Sequence, residues 1–393
     1  MPKVLKKQKK IKKKLIKKVS NKKIVSKTIK KAGKNIKLSK RKTNKNLKKK
    51  TVKAVKKSFQ LKLEKSPSNP IIMPRPYSWE SKATFNPTAF IEGDKIHLIY
   101  RAIGDSDVSV LGYASSLDGH HLIERPVFPV YQQFGIFVRS GEPINYISGG
   151  GWSGGCEDPR VTLLGDTVYM LYTAFDGWGS VRIAMTSIKL SDFKNKRWNW
   201  QKPVLISPPG EIHKNWVLFP EKINGKFAIL HSISPEILID YIDNLNNFDG
   251  TKFIKSIHQY HPQWRLREKG MRGVGPAPIK TKIGWLVLYH AMEKNDSSRY
   301  KLWAMILDLN SPTKILYRSK TPILEPEEYY ENEGFKAGVV YSCGAIVKDE
   351  NLFVYYGGAD SVACLAQIKL SELLDDLIKN KAVKLKKSNS III

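Results

Sequence analysis

The chain has 393 residues, with 67 Lys+Arg against 35 Asp+Glu and a formal net charge of +32. That charge sits at one end: residues 1–60 hold 27 basic and no acidic residues, which leaves 67 − 27 = 40 basic against 35 acidic, or +5, for 61–393. With 27 Gly, 21 Pro and 10% aromatic residues the body is neither fibrous nor disordered, and no apolar run reaches the roughly 18 residues of a membrane span.

Residues 1–60 scatter Ile, Leu and Val among lysines, with no aromatic before Phe59. So little apolar surface cannot offset the entropy of ordering, and a disordered basic tail is expected over 1–60. The segment has no apolar core of the secretory-signal kind, and it uses Lys where mitochondrial presequences favour Arg. A lysine arm binds polyanions by counterion release without reading their sequence, and here it lacks the aromatics on which bases stack. Nonspecific contact with nucleic acid or an anionic surface is one reading; a solvated tail without a specific partner is the other.

From about residue 66 short apolar alternations begin, punctuated by Gly, Asp, Asn and Pro, and one unit recurs. Its copies are NPTAFIEGDKIHLIYRA from Asn86, EDPRVTLLGDTVYMLYTAFDG from Glu157, LFPEKINGKFAILHS from Leu218, VGPAPIKTKIGWLVLYHAME from Val274 and YSCGAIVKDENLFVYYGGAD from Tyr341. Each reads as strand, tight turn, strand, and the turns at Gly93-Asp94, Gly165-Asp166, Asn224-Gly225, Lys282–Gly284 and Asp349–Asn351 are hairpin chemistry. Third apolar strands follow most copies at Leu111, Arg182, Lys301 and Ala363. The copy starts are 71, 61, 56 and 67 residues apart. Five all-β units of this size predict a five-bladed β-propeller over residues 66–380. A short helix is expected at the end, over Ser371–Ile378, where Leu373, Leu374 and Leu377 share a face.

In a propeller the innermost strands line a central channel, so residues at equivalent points of the copies converge at one mouth. Those points are Asn86, Asp158, Lys214 with Asn215, Arg272, and the strand ends Arg101, Asp176, His290 and Asp360. The CEDPR segment puts Glu157, Asp158 and Arg160 beside the Gly-rich approach that starts at Gly149. A carboxyl there can serve as general acid, or it can be an Asp-Pro turn with an Arg partner. Lys214, Asn215, Arg272 and His290 together suit a dianion such as phosphate, although each alone reads equally as surface charge or packed imidazole. Trp152, Trp178 and Trp216 could stack on sugar faces or fill core and rim. The three cysteines, Cys156, Cys343 and Cys364, form no disulfide or zinc pattern, and there is no HExxH, so no metal is expected. A reducing, cytoplasmic setting is the simplest expectation.

At these residues the sequence resembles glycoside hydrolase family 130, the β-mannoside phosphorylases and related β-mannosidases. The stretches that carry the resemblance are NPTAF, YRA, GCEDPRVT, HKNWVLFPEKINGKFAILH, GVGPAPIKTKIGWLVLYH, SPTKILYRSKTPILEPEEYYE and YSCGAIVKDENLFVYYGGAD, spanning 86 to about 368. The resemblance implies a five-bladed propeller and inverting phosphorolysis of a β-mannoside to α-mannose 1-phosphate. The substrate would be mannosyl-glucose, a mannobiose or a manno-oligosaccharide, with inorganic phosphate as co-substrate and no cofactor. It implies Asp158 as the catalytic acid, relaying its proton through the mannose 3-hydroxyl. It also implies Lys214, Asn215, Arg272 and His290 as phosphate ligands, and Asn86, Arg101 and Asp360 as sugar-side contacts. The family pattern often has Arg at the position of Lys214 and Lys at that of Arg272; this exchange keeps charge but not bidentate geometry. Two alternatives stay open: a hydrolase of the same fold, with Glu221 or Glu293 as base, and a non-catalytic glycan-binding propeller. Oligomeric state is not readable from the sequence.

Overall fold

The computed structural model describes residues 61–132, 146, 148, 153–256, 269–293 and 295–379; the side chains of 269–272 lie outside that description, as does the basic tail 1–60. The described part is almost entirely β. Strand β1 (Glu64–Lys65) comes first, followed by a meander of β2 (Ala83–Glu92), β3 (Lys95–Ile103), β4 (Ser109–Ser116) and β5 (Leu122–Glu124). A second meander has β6 (Gly155–Leu164), β7 (Thr167–Phe175) and β8 (Val181–Lys189), then helix α1 (Leu190–Lys194) and β9 (Val204–Leu205). The third is small, with β10 (Val217–Leu218), β11 (Phe227–Ser232) and β12 (Leu238–Ile242). The fourth contains β13 (Lys269–Val274), β14 (Ile279–Thr281), β15 (Gly284–Glu293), β16 (Asp296–Leu307) and β17 (Ile315–Arg318). After helix α2 (Tyr329–Asn332), the fifth has β18 (Val340–Lys348), β19 (Asn351–Gly358) and β20 (Val362–Lys369), and α3 (Leu370–Lys379) follows.

The first two meanders form one eight-stranded sheet, joined through a single parallel pairing of Ser109 with Gly155. β1 adds itself to the fifth meander, pairing Glu64 with Gln367 and Lys65 with Ala366, so the start of the body is tied to its end. Sequence pattern gave no hint of β1, nor of β12, whose residues are mostly half-exposed. The fourth unit also opens earlier than its apolar pattern suggests: Val274 ends β13 instead of starting the unit. Copies one, two and five form their paired strands where expected, and α3 buries Leu373, Leu374 and Leu377 as its spacing predicts.

Hydrophobic burial explains how the units pack, because each major apolar cluster lies between two of them. Phe90, Ile99 and Tyr113 of the first unit meet Val161, Met170 and Tyr172 of the second. Leu171 and Ile183 of the second meet Leu218 and Ile229 of the third. Val217 and Leu230 meet Trp285, Val287 and Trp303 of the fourth, and Leu288 and Ala304 meet Val354 and Tyr356 of the fifth. Leu98 and Tyr100 return from the first unit to Tyr355 and Leu365 of the fifth. Strands that open the units follow suit: β18 packs on β2, β2 on β6, and β6 on β10. Among the described residues no helix is long and apolar enough to cross a membrane.

Candidate active site

The site grows out of two matched irregularities. The ladder of β2 with β3 slips between Phe85 and Thr88, and that of β6 with β7 slips between Glu157 and Arg160. Each bulge holds one residue followed by proline, Asn86-Pro87 and Asp158-Pro159. Both residues are left-handed, with φ of 49° and 50°. Asn and Asp are the non-glycine residues that tolerate this region best, and a bulge re-aims the side chain it carries. Asn215 and Asp360 are left-handed as well, at φ 65° and 51°. Strained backbone of this kind collects where a fold supports function.

The bulges bring Asn86 and Asp158 into contact: Asn86 Nδ2 donates to Asp158 Oδ1 at 2.8 Å. Arg101 Nη1 donates to the same oxygen at 3.3 Å, and its Nη2 donates to Glu157 Oε1 at 3.1 Å. One guanidinium, 1% exposed, therefore serves two adjacent carboxylates that are themselves buried. Burial pushes the Asp158 carboxyl upward. The charges of Arg101, Lys214 and Arg160 and the Asn86 hydrogen bond outweigh it and hold the group down at about 2. The opposite balance holds at Asp360, whose carboxyl is raised by burial despite Lys336, Arg101 and Lys214, with Asp158 adding to the rise.

Arg160 is the junction of the site. Its Nη1 donates to the backbone oxygen of Asp158 at 2.8 Å and its Nε to that of Gly275 at 2.9 Å. Its Nη2 donates to Asn215 Oδ1 at 2.9 Å and to the Tyr341 hydroxyl at 3.2 Å. These partners come from the second, third, fourth and fifth units, and all are neutral. Tight packing brings the asparagines in: a Cβ on Gly273 would fall 2.4 Å from Asn215 Nδ2, and one on Gly357 2.1 Å from Asn86 Oδ1. Only glycine leaves room for either side chain.

Lys214 Nζ donates to the Tyr146 hydroxyl at 2.7 Å and lies 4.8 Å from that ring's centre. Tyr146 in turn donates to Glu157 Oε2 at 2.8 Å. His290 is fully buried, accepts from the Ser342 backbone N–H through Nε2 at 2.9 Å, and stacks on Tyr341 with ring centres 4.2 Å apart. Burial, helped by Arg160, pulls its imidazole down to about 3, so it is neutral. Arg272 lies on β13, one residue before the Gly273–His290 pair, and its side chain is outside the described residues. Asp176 caps its own turn, accepting from the N–H groups of Trp178 and Ser180. Trp216 is buried against His213 and His231, Trp178 is exposed at that turn, and Trp152 lies outside the described residues. Among the described residues no group of His, Cys, Asp and Glu could hold a metal ion.

Sequence reasoning singled out Glu157 and Arg160 only as neighbours of Asp158, and it missed Tyr146, Ser148, Lys336 and Tyr341. Their contacts span separations such as 68 residues for Lys214 and Tyr146. Local pattern does not encode such pairs. Arg101, Tyr146 and Asp360 do not form a recognisable spacing either.

Acid, amide and cations held this way suit a glycoside-processing enzyme, and comparison with known proteins narrows the class. The pattern of glycoside hydrolase family 130, described as beta-1,4-mannooligosaccharide phosphorylase, matches residues 62–379. A 1,2-beta-oligomannan phosphorylase of Thermoanaerobacter sp. (strain X514) is 37% identical over 323 residues, covering 79% of this chain and 98% of its own. A beta-1,2-mannobiose phosphorylase of the same strain is 36% identical, over 78% of this chain and 97% of its own. Among solved structures, the Listeria innocua beta-1,2-mannobiose phosphorylase in complex with beta-1,2-mannobiose superposes with a TM-score of 0.61 at 27% identity, over 81% of this chain and 99% of that one. The chain belongs to glycoside hydrolase family 130, a family of enzymes acting on β-mannosides.

Proposed function

We propose that the protein carries out inverting phosphorolysis of short β-1,2-linked mannosides, releasing α-mannose 1-phosphate. In this reading Asp158 is the acid, and its proton reaches the glycosidic oxygen through the mannose 3-hydroxyl. Phosphate attacks the anomeric carbon from the opposite face as the C1–O bond breaks, so that a C1–O–P bond replaces it. Lys214, Asn215, Arg272 and His290, the last as a neutral imidazole, hold the phosphate, while Asn86, Arg101 and Asp360 face the sugar. The preference for the β-1,2 linkage rests on relatives: phosphorylases of that linkage are 37% and 36% identical to this chain, against 28% for a beta-1,4-mannooligosaccharide phosphorylase.

The observation that favours phosphorolysis over hydrolysis is that, among the described residues, Glu157 and the two alternative bases Glu221 and Glu293 are each tied to a cation. Water needs a base. Glu157 is engaged by Arg101, Tyr146 and Ser148. Glu221 is paired with Lys280, and Glu293 with Lys301 at 2.7 Å. Phosphate needs cations instead, and Lys214 and Arg160 supply positive charge next to the acid.

A five-bladed propeller is the architecture we read from the five meanders, supported by apolar clusters that link each unit to the next and the fifth back to the first. On this reading residues 66–380 form the catalytic domain. The Lys-rich residues 1–60 act as a tail that contacts polyanions nonspecifically, and the enzyme works in the cytoplasm. The function is tested by incubating the protein with β-1,2-mannobiose with and without inorganic phosphate. Mannose 1-phosphate that appears only with phosphate is expected; free mannose formed at a phosphate-independent rate rejects the reading in favour of hydrolysis, and no turnover of any β-mannoside favours a binding propeller.

A further inference from the structure

Glu157 lies next to the proposed acid, and it is buried with three polar partners. Arg101 Nη2 reaches its Oε1 at 3.1 Å, and the Ser148 hydroxyl donates to that same oxygen while accepting from Arg101 at 2.7 Å. Its other oxygen accepts from Tyr146, whose hydroxyl accepts from Lys214 at 2.7 Å. The two cations that depress Asp158 most, Arg101 and Lys214, are therefore moored to one carboxylate, directly in one case and through a phenol in the other. A buried carboxylate is costly to desolvate unless its partners are fixed, and here every partner leads toward the reacting groups.

We infer that Glu157 is a positioning residue that sets both the phosphate-side cation, through Tyr146, and the acid-side cation, through direct contact with Arg101. The inference rests on the phosphorylase reading above. Tyr146 holds the Lys214 ammonium against its ring and hydroxyl, in place for a dianion. Glu157 shares Arg101 with Asp158, so that Arg101 does not pair with the acid alone. The two arms predict different kinetic signatures. Losing the phenol loosens only Lys214. Losing the Glu157 charge also leaves Asp158 as the sole carboxylate partner of Arg101, which makes protonation of the acid harder.

The test uses the full chain and measures phosphorolysis of β-1,2-mannobiose as a function of phosphate and pH. Wild type must first give phosphate-dependent mannose 1-phosphate; if it does not, the site reading fails and this inference falls with it. Tyr146→Phe keeps the ring, with its 4.9 Å edge contact to Phe175. It should raise KM for phosphate roughly 5- to 20-fold, the loss of one charge-assisted hydrogen bond. KM for mannobiose should change less than about twofold, and the basic limb of kcat should stay in place. Glu157→Gln should raise the phosphate KM similarly and move the basic limb of kcat toward lower pH. In the double variant the two phosphate effects should not multiply, because Glu157 acts on Lys214 through Tyr146. A phosphate KM within about twofold of wild type in Tyr146→Phe overturns the inference even if Glu157→Gln fails to fold. Multiplying effects with an unmoved pH limb reduce Glu157 to a packing role and overturn it as well.

Discussion

Replacing Asp158 with Asn removes the proposed proton donor with the least disturbance the site allows. Asn tolerates the left-handed backbone at this position, where φ is 50°. Its amide oxygen can keep accepting from Asn86 Nδ2 and Arg101 Nη1, and Arg101 keeps Glu157, Ser109 and Ser148. The substitution loses an ion pair but also sheds a buried charge, so stability should change by no more than about 2 kcal/mol. Catalysis should suffer far more. A positioned general acid contributes roughly 10²–10⁴-fold, which is about 3–5 kcal/mol of barrier. Burial raises the Asp158 carboxyl, but Arg101, Lys214 and Arg160 hold it down at about 2. Phosphate held at Lys214 would offset part of that positive charge and shift the carboxyl toward its protonated, donating form. The assay compares β-1,2-mannobiose with an aryl β-mannoside whose leaving group departs without protonation. Asp158→Asn should lose roughly 10²–10⁴-fold on the disaccharide and much less on the aryl substrate. More than about a tenth of wild-type disaccharide activity, or equal losses on the two substrates, refutes the acid role.

Arg272→Ala should raise KM for phosphate roughly 10- to 100-fold, as one charge-assisted contact of about 1.5–3 kcal/mol is lost, without uncovering hydrolysis, since deleting a cation supplies no base. Free mannose made by that variant at a rate near the wild-type phosphorolysis rate contradicts this. Burial first, then nearby lysines, pulls His97 down to about 4, and burial with Arg160 pulls His290 to about 3, both below the unfolded value near 6.5. The unfolded chain then binds these protons first, so stability is complete above pH 6.5 and falls with pH below it, by about 1.4 kcal/mol per pH unit for each imidazole. Urea midpoints at pH 6 and 5 check this, and His97→Phe should roughly halve the slope; an unchanged slope rejects the assignment. Deleting residues 1–58 should leave Tm and kcat unchanged and remove salt-sensitive binding to DNA or anionic vesicles. Extending the deletion through Lys65 removes buried Leu63, the β1–β20 pairing and the 2.6 Å Lys65–Glu331 contact, and should lower Tm by several degrees; equal Tm for the two deletions refutes the structural role of β1.

The long hairpins were readable because their alternation is strong and their turns carry the right residues. Asn224 and Gly225, for instance, both adopt positive φ, at 51° and 80°. The weak elements were not readable, for reasons that differ. β1 has two residues, too short for any period, and β10, expected as the first strand of the third copy, is only Val217–Leu218. β13 reads KGMRGV, with two glycines and no apolar run, so its strand character comes from pairing with β15 and not from propensity. At the site, Asn86 and Asp158 were legible as matching points of two copies, while Asp-Pro alone read equally as a plain turn, and the left-handed backbone of both was not legible. The burial of His290 was equally present in GWLVLYHAME, a strand buried along nearly its whole length, where an imidazole packs and stays neutral instead of presenting charge. The links among Arg101, Glu157, Tyr146 and Lys214 are tertiary, and no spacing encodes them.

The geometry around Asp158 shows why a repeat fold can hold a strained acid. Its side chain is gripped from the first unit by Asn86 and Arg101, and its own carbonyl is gripped by Arg160. Arg160 then reaches Asn215 of the third unit, Val274 and Gly275 of the fourth and Tyr341 of the fifth. Two side chains of one bulge, Asp158 and Arg160 on either side of Pro159, thus touch all five units. Lysine could not replace Arg160, because a single ammonium cannot span carbonyls, an amide and a phenol with a fixed planar fork. A left-handed residue costs on the order of 1–3 kcal/mol wherever it stands, and it persists only where its surroundings over-determine it. Here those surroundings are the hydrogen bonds from Asn86, Arg101 and Arg160, whose partners lie on every unit, so the contacts that join the units are also what keeps the carboxylate aimed.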